Sequence, residues 1–66
     1  MPPEAAYWLT SAFSGLTMGI CALALGRYSE AVGHLRTGLD GLPAELRDAP
    51  WTWEHKDALR RAAEAV

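Results

Sequence analysis

Residues 9–42 read LTSAFSGLTMGICALALGRYSEAVGHLRTGLDGL, and the residue pattern of this segment predicts how the chain folds. It opens with an uncharged helical segment that ends at Leu25, passes through Gly26 and Arg27, and enters a second helical segment. The apolar residues of the second segment recur at helical spacing, at Tyr28, Ala31, Val32, Leu35, Leu39 and Leu42. Two helices joined by so short a turn run antiparallel. The stretch therefore predicts an antiparallel helical hairpin.

The first helix carries two apolar lines, so we expect two of its sides to be covered. One line is a seam of large residues spaced 4, 3, 4 and 3 apart, namely Leu9, Phe13, Leu16, Ile20 and Leu23. The other has small side chains after its tryptophan and consists of Trp8, Ala12, Gly15, Gly19 and Ala22. Small residues allow a second helix to approach closely, although each glycine costs about 1 kcal/mol of helix propensity.

Glycine and proline mark the ends of the predicted helices. Gly26 suits the end of the first helix, because glycine takes the left-handed cap conformation without strain. Gly41 and Pro43 end the second helix in the same manner, glycine as a cap and proline as a barrier to continuation. Leu42 is expected to fold back onto that helix.

The last third of the chain predicts a loop followed by a third helix. Two prolines confine residues 43–50 to a structured loop with one helical turn, and Asp48 or Thr52 is a candidate cap. The apolar face of the last helix is Trp51, His55, Ala58, Leu59, Ala62 and Val66. We therefore predict one all-α domain over residues 1–66, with the hairpin at about 5–43 and a capping helix at about 51–65.

The composition argues against a catalytic, metal-binding or nucleic-acid-binding function. The chain has one cysteine, Cys21, and two histidines, His34 and His55, without the close spacing of metal ligands. A net charge of -2, without a run of Lys or Arg, does not suit a phosphate backbone. We predict a protein that is not an enzyme and needs no cofactor, and we expect Cys21 to be buried and unreactive.

The length of 66 residues points to association. A chain this short buries only about 60% of the surface of its unfolded form, and small domains are usually rescued by disulfides, metals or partners. A single cysteine excludes an internal disulfide and fits a reducing, cytoplasmic compartment. We therefore expect a homodimer, or docking onto a larger protein.

A membrane-spanning alternative arises because residues 5–25 carry no charge. In that case Gly15 and Gly19 would pair the first helix with another by small-residue packing. Polar Thr10 and Ser14 and the one-sided seam of large residues count against a spanning helix.

The hairpin also resembles a tetratricopeptide repeat. The segment Leu25–Ala31, with Leu35, Gly38, Leu39 and Pro43, is similar to the second half of that repeat, and the likeness covers about Ala12 to Pro43. The pattern is carried by Gly19, Tyr28, Ala31, Leu35, Gly38 and Pro43. Gly15 and Ala22 depart from it, since the family often has a tryptophan and a tyrosine there.

This resemblance implies a protein-binding module, similar to the C-terminal repeat region of some bacterial regulators. In the family, the first helix of each repeat lines the groove that holds a peptide, and about three repeats are needed for stability. One repeat alone would need neighbours from another chain.

Two arrangements for the large seam remain open, because either the third helix or another chain would cover it. The residues predicted for the interface are Leu9, Phe13, Leu16, Ile20, Leu23 and Trp53. Those predicted to pack the hairpin are Gly15, Gly19, Ala22, Tyr28, Ala31 and Leu35. Trp8 and Trp51 are expected in the core.

Overall fold

The protein is built from three α-helices. The computed structural model describes the backbone of residues 3–66 and the side chains of residues 11–66. The helices are α1 (Pro3–Ala24), α2 (Tyr28–Asp40) and α3 (Thr52–Ala65), and a short 3₁₀ helix (Ala44–Leu46) lies between α2 and α3. Residues 3–66 contain no strand. The predicted all-α fold is therefore confirmed.

The α1–α2 turn is closed by Gly26, as the sequence predicts. This glycine has a φ of 77°, and its N–H donates to the Leu23 carbonyl at 3.0 Å. The Arg27 N–H donates to the Ala22 carbonyl at 2.9 Å. These two bonds form the Schellman motif that ends a helix and reverses the chain.

The other end of α2 is held by a side chain from the following loop. Gly41 has a φ of -77°, so it ends the helix without the left-handed conformation. Arg47 supplies the missing partners, because its Nε donates to the Leu42 carbonyl at 3.0 Å and its Nη2 to the Asp40 carbonyl at 3.3 Å. Leu42 folds back and is buried.

Glycine lets α1 and α2 pack almost backbone to backbone. A Cβ atom added at Gly15 would lie 3.2 Å from the Gly38 Cα, and one added at Gly38 would lie 2.8 Å from the Leu16 nitrogen. The buried core between the three helices includes Leu16, Ala22, Ala31, Leu35, Ala58 and Ala62. Partly buried Leu23, Val32, Leu39 and Leu59 surround it.

The α3 helix packs mainly on α2 and contacts α1 over a smaller area. The prediction that Asp48 or Thr52 caps α3 is wrong, because Trp51 holds the N-cap position and no side chain bonds there. Thr52 is fully buried, and its hydroxyl donates to the Ala49 carbonyl at 2.7 Å. The Thr52 hydroxyl therefore holds the loop that precedes α3 against the start of this helix.

No helix in the described part of the chain has both the length and the apolar character needed to cross a membrane, and α1, the segment considered for that role, is no exception.

Candidate interaction surface

The large seam of α1 is divided in the structure. Leu16 is 1% exposed and Leu23 is packed against the core, whereas Phe13 is 41% and Ile20 39% exposed. Leu9 lies outside the residues whose side chains are described. Phe13 and Leu16 are three residues apart, as are Ile20 and Leu23. Three residues turn a helix by about 300°, which leaves the two members of each pair about 60° apart around the helix axis. Leu16 and Leu23 therefore pack against the core, whereas Phe13 and Ile20 face α3 and solvent.

Phe13 and Ile20 lie along a groove between α1 and α3, which run in the same direction. At one end Phe13 stacks on Trp51, with 5.4 Å between ring centroids and 22° between ring planes. In the middle, Ile20, Leu23 and Ala24 of α1 line the groove opposite Glu54, Asp57, Ala58 and Arg61 of α3. At the far end the groove continues to Tyr28 and Ala65. We call this feature the α1/α3 groove.

The two walls of the α1/α3 groove differ in charge. The α1 wall has no ionisable carboxylate or basic side chain, because residues 5–25 are uncharged. The α3 wall carries Glu54, Asp57 and Arg61. Side chains of α3 thus supply all the charge along the middle of the groove.

Asp57 is already paired within α3. Its Oδ1 accepts a hydrogen bond from Arg60 Nη2 at 2.6 Å, and its Oδ2 lies 3.8 Å from Arg61 Nη1. The bond from Arg60 holds the pKa of Asp57 below its usual value. The same bond, with a second to Glu64 at 3.0 Å, raises the pKa of Arg60. All these groups face solvent, so the pairs fix side-chain positions and contribute little stability.

The residues predicted to pack the hairpin mostly lie between α1 and α2. Gly19, Ala22, Ala31 and Leu35 are buried, and Gly15 is half-buried against α2. Tyr28 remains 40% exposed and lines the far end of the α1/α3 groove.

The tryptophans are more exposed than core residues. Trp51, expected in the core, is 38% exposed because it covers Phe13 at the edge of the domain. Trp53 is 69% exposed. It does not line the α1/α3 groove, and it lies seven residues from Arg60, so it belongs to the solvent-facing side of α3. The side chain of Trp8 is outside the described residues.

A second exposed strip, which is not part of the predicted seam, lies on the other side of α1. Met18 is 49% and Leu25 72% exposed, and they border a shallow depression with Cys21 and His34. The expectation that Cys21 is buried is wrong, since its thiol is exposed. Met18, Cys21 and Leu25 are spaced three and four residues apart, so they form a helical line separate from the large seam.

The described residues offer no assembled centre for metal chemistry, because their His, Cys, Asp and Glu side chains form no group of three able to hold an ion. No protein-family model, curated protein or solved structure matches the chain. The geometry of the α1/α3 groove is therefore the basis for a functional assignment.

Proposed function

We propose that this chain is a non-catalytic protein-interaction module, and that the α1/α3 groove is its binding surface. The observation that carries the proposal is that three large apolar side chains along one groove, Phe13, Ile20 and Trp51, are each 38–41% exposed. Removing apolar surface from water yields about 25 cal/mol per Å². Adjacent exposed side chains of this kind are typical of a surface that binds another protein.

The finer part of the proposal is that the hairpin acts as a tetratricopeptide-like unit. Its support is the close packing of Gly19 on Leu35 and of Gly38 on Leu16, the burial of Ala31, and the parallel course of α1 and α3. In such repeats the first helices of successive units line the peptide-binding groove, and here α1 and α3 line the groove. A single repeat depends on neighbours for its stability.

The partner in this proposal is a protein, either a second copy of the chain or a larger protein such as a bacterial regulator. The setting we propose is the cytoplasm, where the exposed Cys21 would stay reduced. Both kinds of partner would bury the same residues, so the first test asks only whether the groove is covered.

A photo-crosslinking pair tests that point in the native cell. A diazirine-bearing leucine analogue is placed at Ile20, inside the groove, and in a matched variant at Met18, which is similarly exposed on the same helix but outside the groove. We expect a specific protein adduct from position 20 and none, or a different one, from position 18. An absence of adducts from position 20, with the chain present and folded, would contradict the proposed function.

A further inference from the structure

We infer that the occupant of the α1/α3 groove is the same groove of a second copy, related by a two-fold axis that sets the two α1 helices antiparallel. This inference rests on the proposed function and adds to it the partner and its orientation. It follows from the distribution of charge along the two walls of the groove.

The α1 wall presents nothing that would repel a copy of itself. Residues 5–25 are uncharged, and the side chains that α1 exposes toward the groove, Phe13 and Ile20, are apolar. Two such walls can approach each other in water without desolvating an ion, which is the main cost of pairing charged helix faces.

The charges of the α3 wall complement those of the same wall in an antiparallel second copy. Glu54 and Arg61 both line the groove and lie seven residues apart, which places them on the same side of α3, two helical turns from each other. Glu54 forms no ion pair with any residue in the described part of the chain. An antiparallel copy would bring its Arg61 opposite Glu54, and the symmetric contact would form at the other end.

Asp57 lies between these two residues and does not oppose the arrangement. Its carboxylate accepts a 2.6 Å hydrogen bond from Arg60, which offsets its charge even when Arg61 turns to Glu54 of the second copy. The axis would pass near Ile20 and Ala58, which line the middle of the groove. The apolar residues nearest the axis would then contact their own counterparts.

The opposite orientation is disfavoured by the same charges. In a parallel two-fold pairing α3 would face the uncharged α1 wall of the second copy, so Glu54 and Arg61 would lose water without gaining an opposite charge. A two-fold dimer is also a closed assembly, because both copies bind through the same surface and none is left free for a third copy. Dimers with this symmetry are the commonest oligomers. The charge pattern therefore selects the antiparallel dimer.

Charge reversal in two separate chains tests the orientation. Each single variant, Glu54→Arg and Arg61→Glu, would place like charges together twice in its own dimer, and we expect its dissociation constant to rise about tenfold or more. An equimolar mixture of the two variants would restore both opposite-charge contacts, so a heterodimer close to wild-type affinity should form. Glu45→Arg, the same change in the 3₁₀ helix outside the groove, serves as the control and should dimerise normally.

Sedimentation equilibrium of each variant and of the mixture gives the affinities, and circular dichroism verifies that each variant is folded. Both substituted residues are exposed, so the variants should keep their helices. If Arg61→Glu loses helicity, Arg61→Gln replaces it, and its mixture with Glu54→Arg should still bind more tightly than Glu54→Arg alone.

A mixture that binds no better than the single variants would overturn the antiparallel orientation. A wild-type chain that stays monomeric at high micromolar concentration would overturn the second copy as the occupant. Neither result refutes the proposed function, which fails only when the crosslinker at Ile20 captures no protein at all.

Discussion

Replacing Gly38 and Gly33 by alanine, one at a time, should shift stability in opposite directions, although both lie within α2. Gly38 is buried against α1, where an added Cβ would lie 2.8 Å from the Leu16 nitrogen and 3.0 Å from the Ala12 carbonyl oxygen. Gly33 faces open space, and no atom lies within 4 Å of its added Cβ. Gly33→Ala therefore changes helix propensity alone, whereas Gly38→Ala changes both helix propensity and packing.

The magnitudes follow from two opposing effects. An alanine in a helix interior is favoured over glycine by about 1 kcal/mol, and this gain applies to both sites. Overpacking a tight interface typically costs about 1–3 kcal/mol. The upper part of that range fits Gly38, because backbone atoms of α1 cannot move aside as a side chain does. Gly33→Ala should stabilise the protein by about 1 kcal/mol, and Gly38→Ala should destabilise it by up to about 2 kcal/mol.

Urea and thermal unfolding followed by far-ultraviolet circular dichroism measure both changes, with all samples at one protein concentration. For a domain of this size, each kcal/mol corresponds to about 4–8 °C in melting temperature. Gly38→Ala should melt well below the wild type and Gly33→Ala above it. Equal stabilisation by both substitutions would refute the claim that α1 and α2 touch through their glycines.

Three further predictions concern the surface. A double-mutant cycle of Phe13→Leu and Trp51→Leu, measured by urea unfolding, should give a coupling of about 0.5–1.5 kcal/mol, because the rings stack, and no coupling would argue against that contact. The lowered pKa of Asp57 contributes stability that is present above its unfolded-state pKa and is lost as the pH falls through the folded-state pKa. Arg60→Gln should raise the pKa of Asp57 toward its usual value in an NMR titration. An unchanged titration midpoint would exclude Arg60 as the cause of the lowered pKa. Cys21 should react fully with a thiol reagent under native conditions, and protection until the protein unfolds would contradict its exposure.

The hairpin was predictable because its signals are local. Gly26 ends α1 through backbone geometry that only neighbouring residues determine, and the sequence locates it correctly. Ala31 and Leu35 are buried because they lie on the apolar side of an amphipathic helix, which its periodicity reveals. The third helix was predictable for the same reason.

The division of the seam was not predictable from spacing, because it depends on where α3 docks. Arg47 and Thr52 hold the loop that sets this position, through bonds to carbonyls of residues near them in the chain but outside any helix pattern. Thr52 has the sequence features of a cap and instead serves as a buried fastener. The exposure of Cys21 likewise follows from α3 packing on the other side of α1.

Sedimentation equilibrium of the wild type beside Ile20→Glu and Met18→Glu measures whether the α1/α3 groove is the interface of a dimer. Leu16 is unsuited to this purpose, because it is buried and its replacement by glutamate would unfold the domain. We expect a dimer for the wild type and for Met18→Glu, and a helical monomer for Ile20→Glu, since only Ile20 lies in the α1/α3 groove. Three stable monomers of equal mass at high micromolar concentration would contradict the claim that a second copy covers this groove.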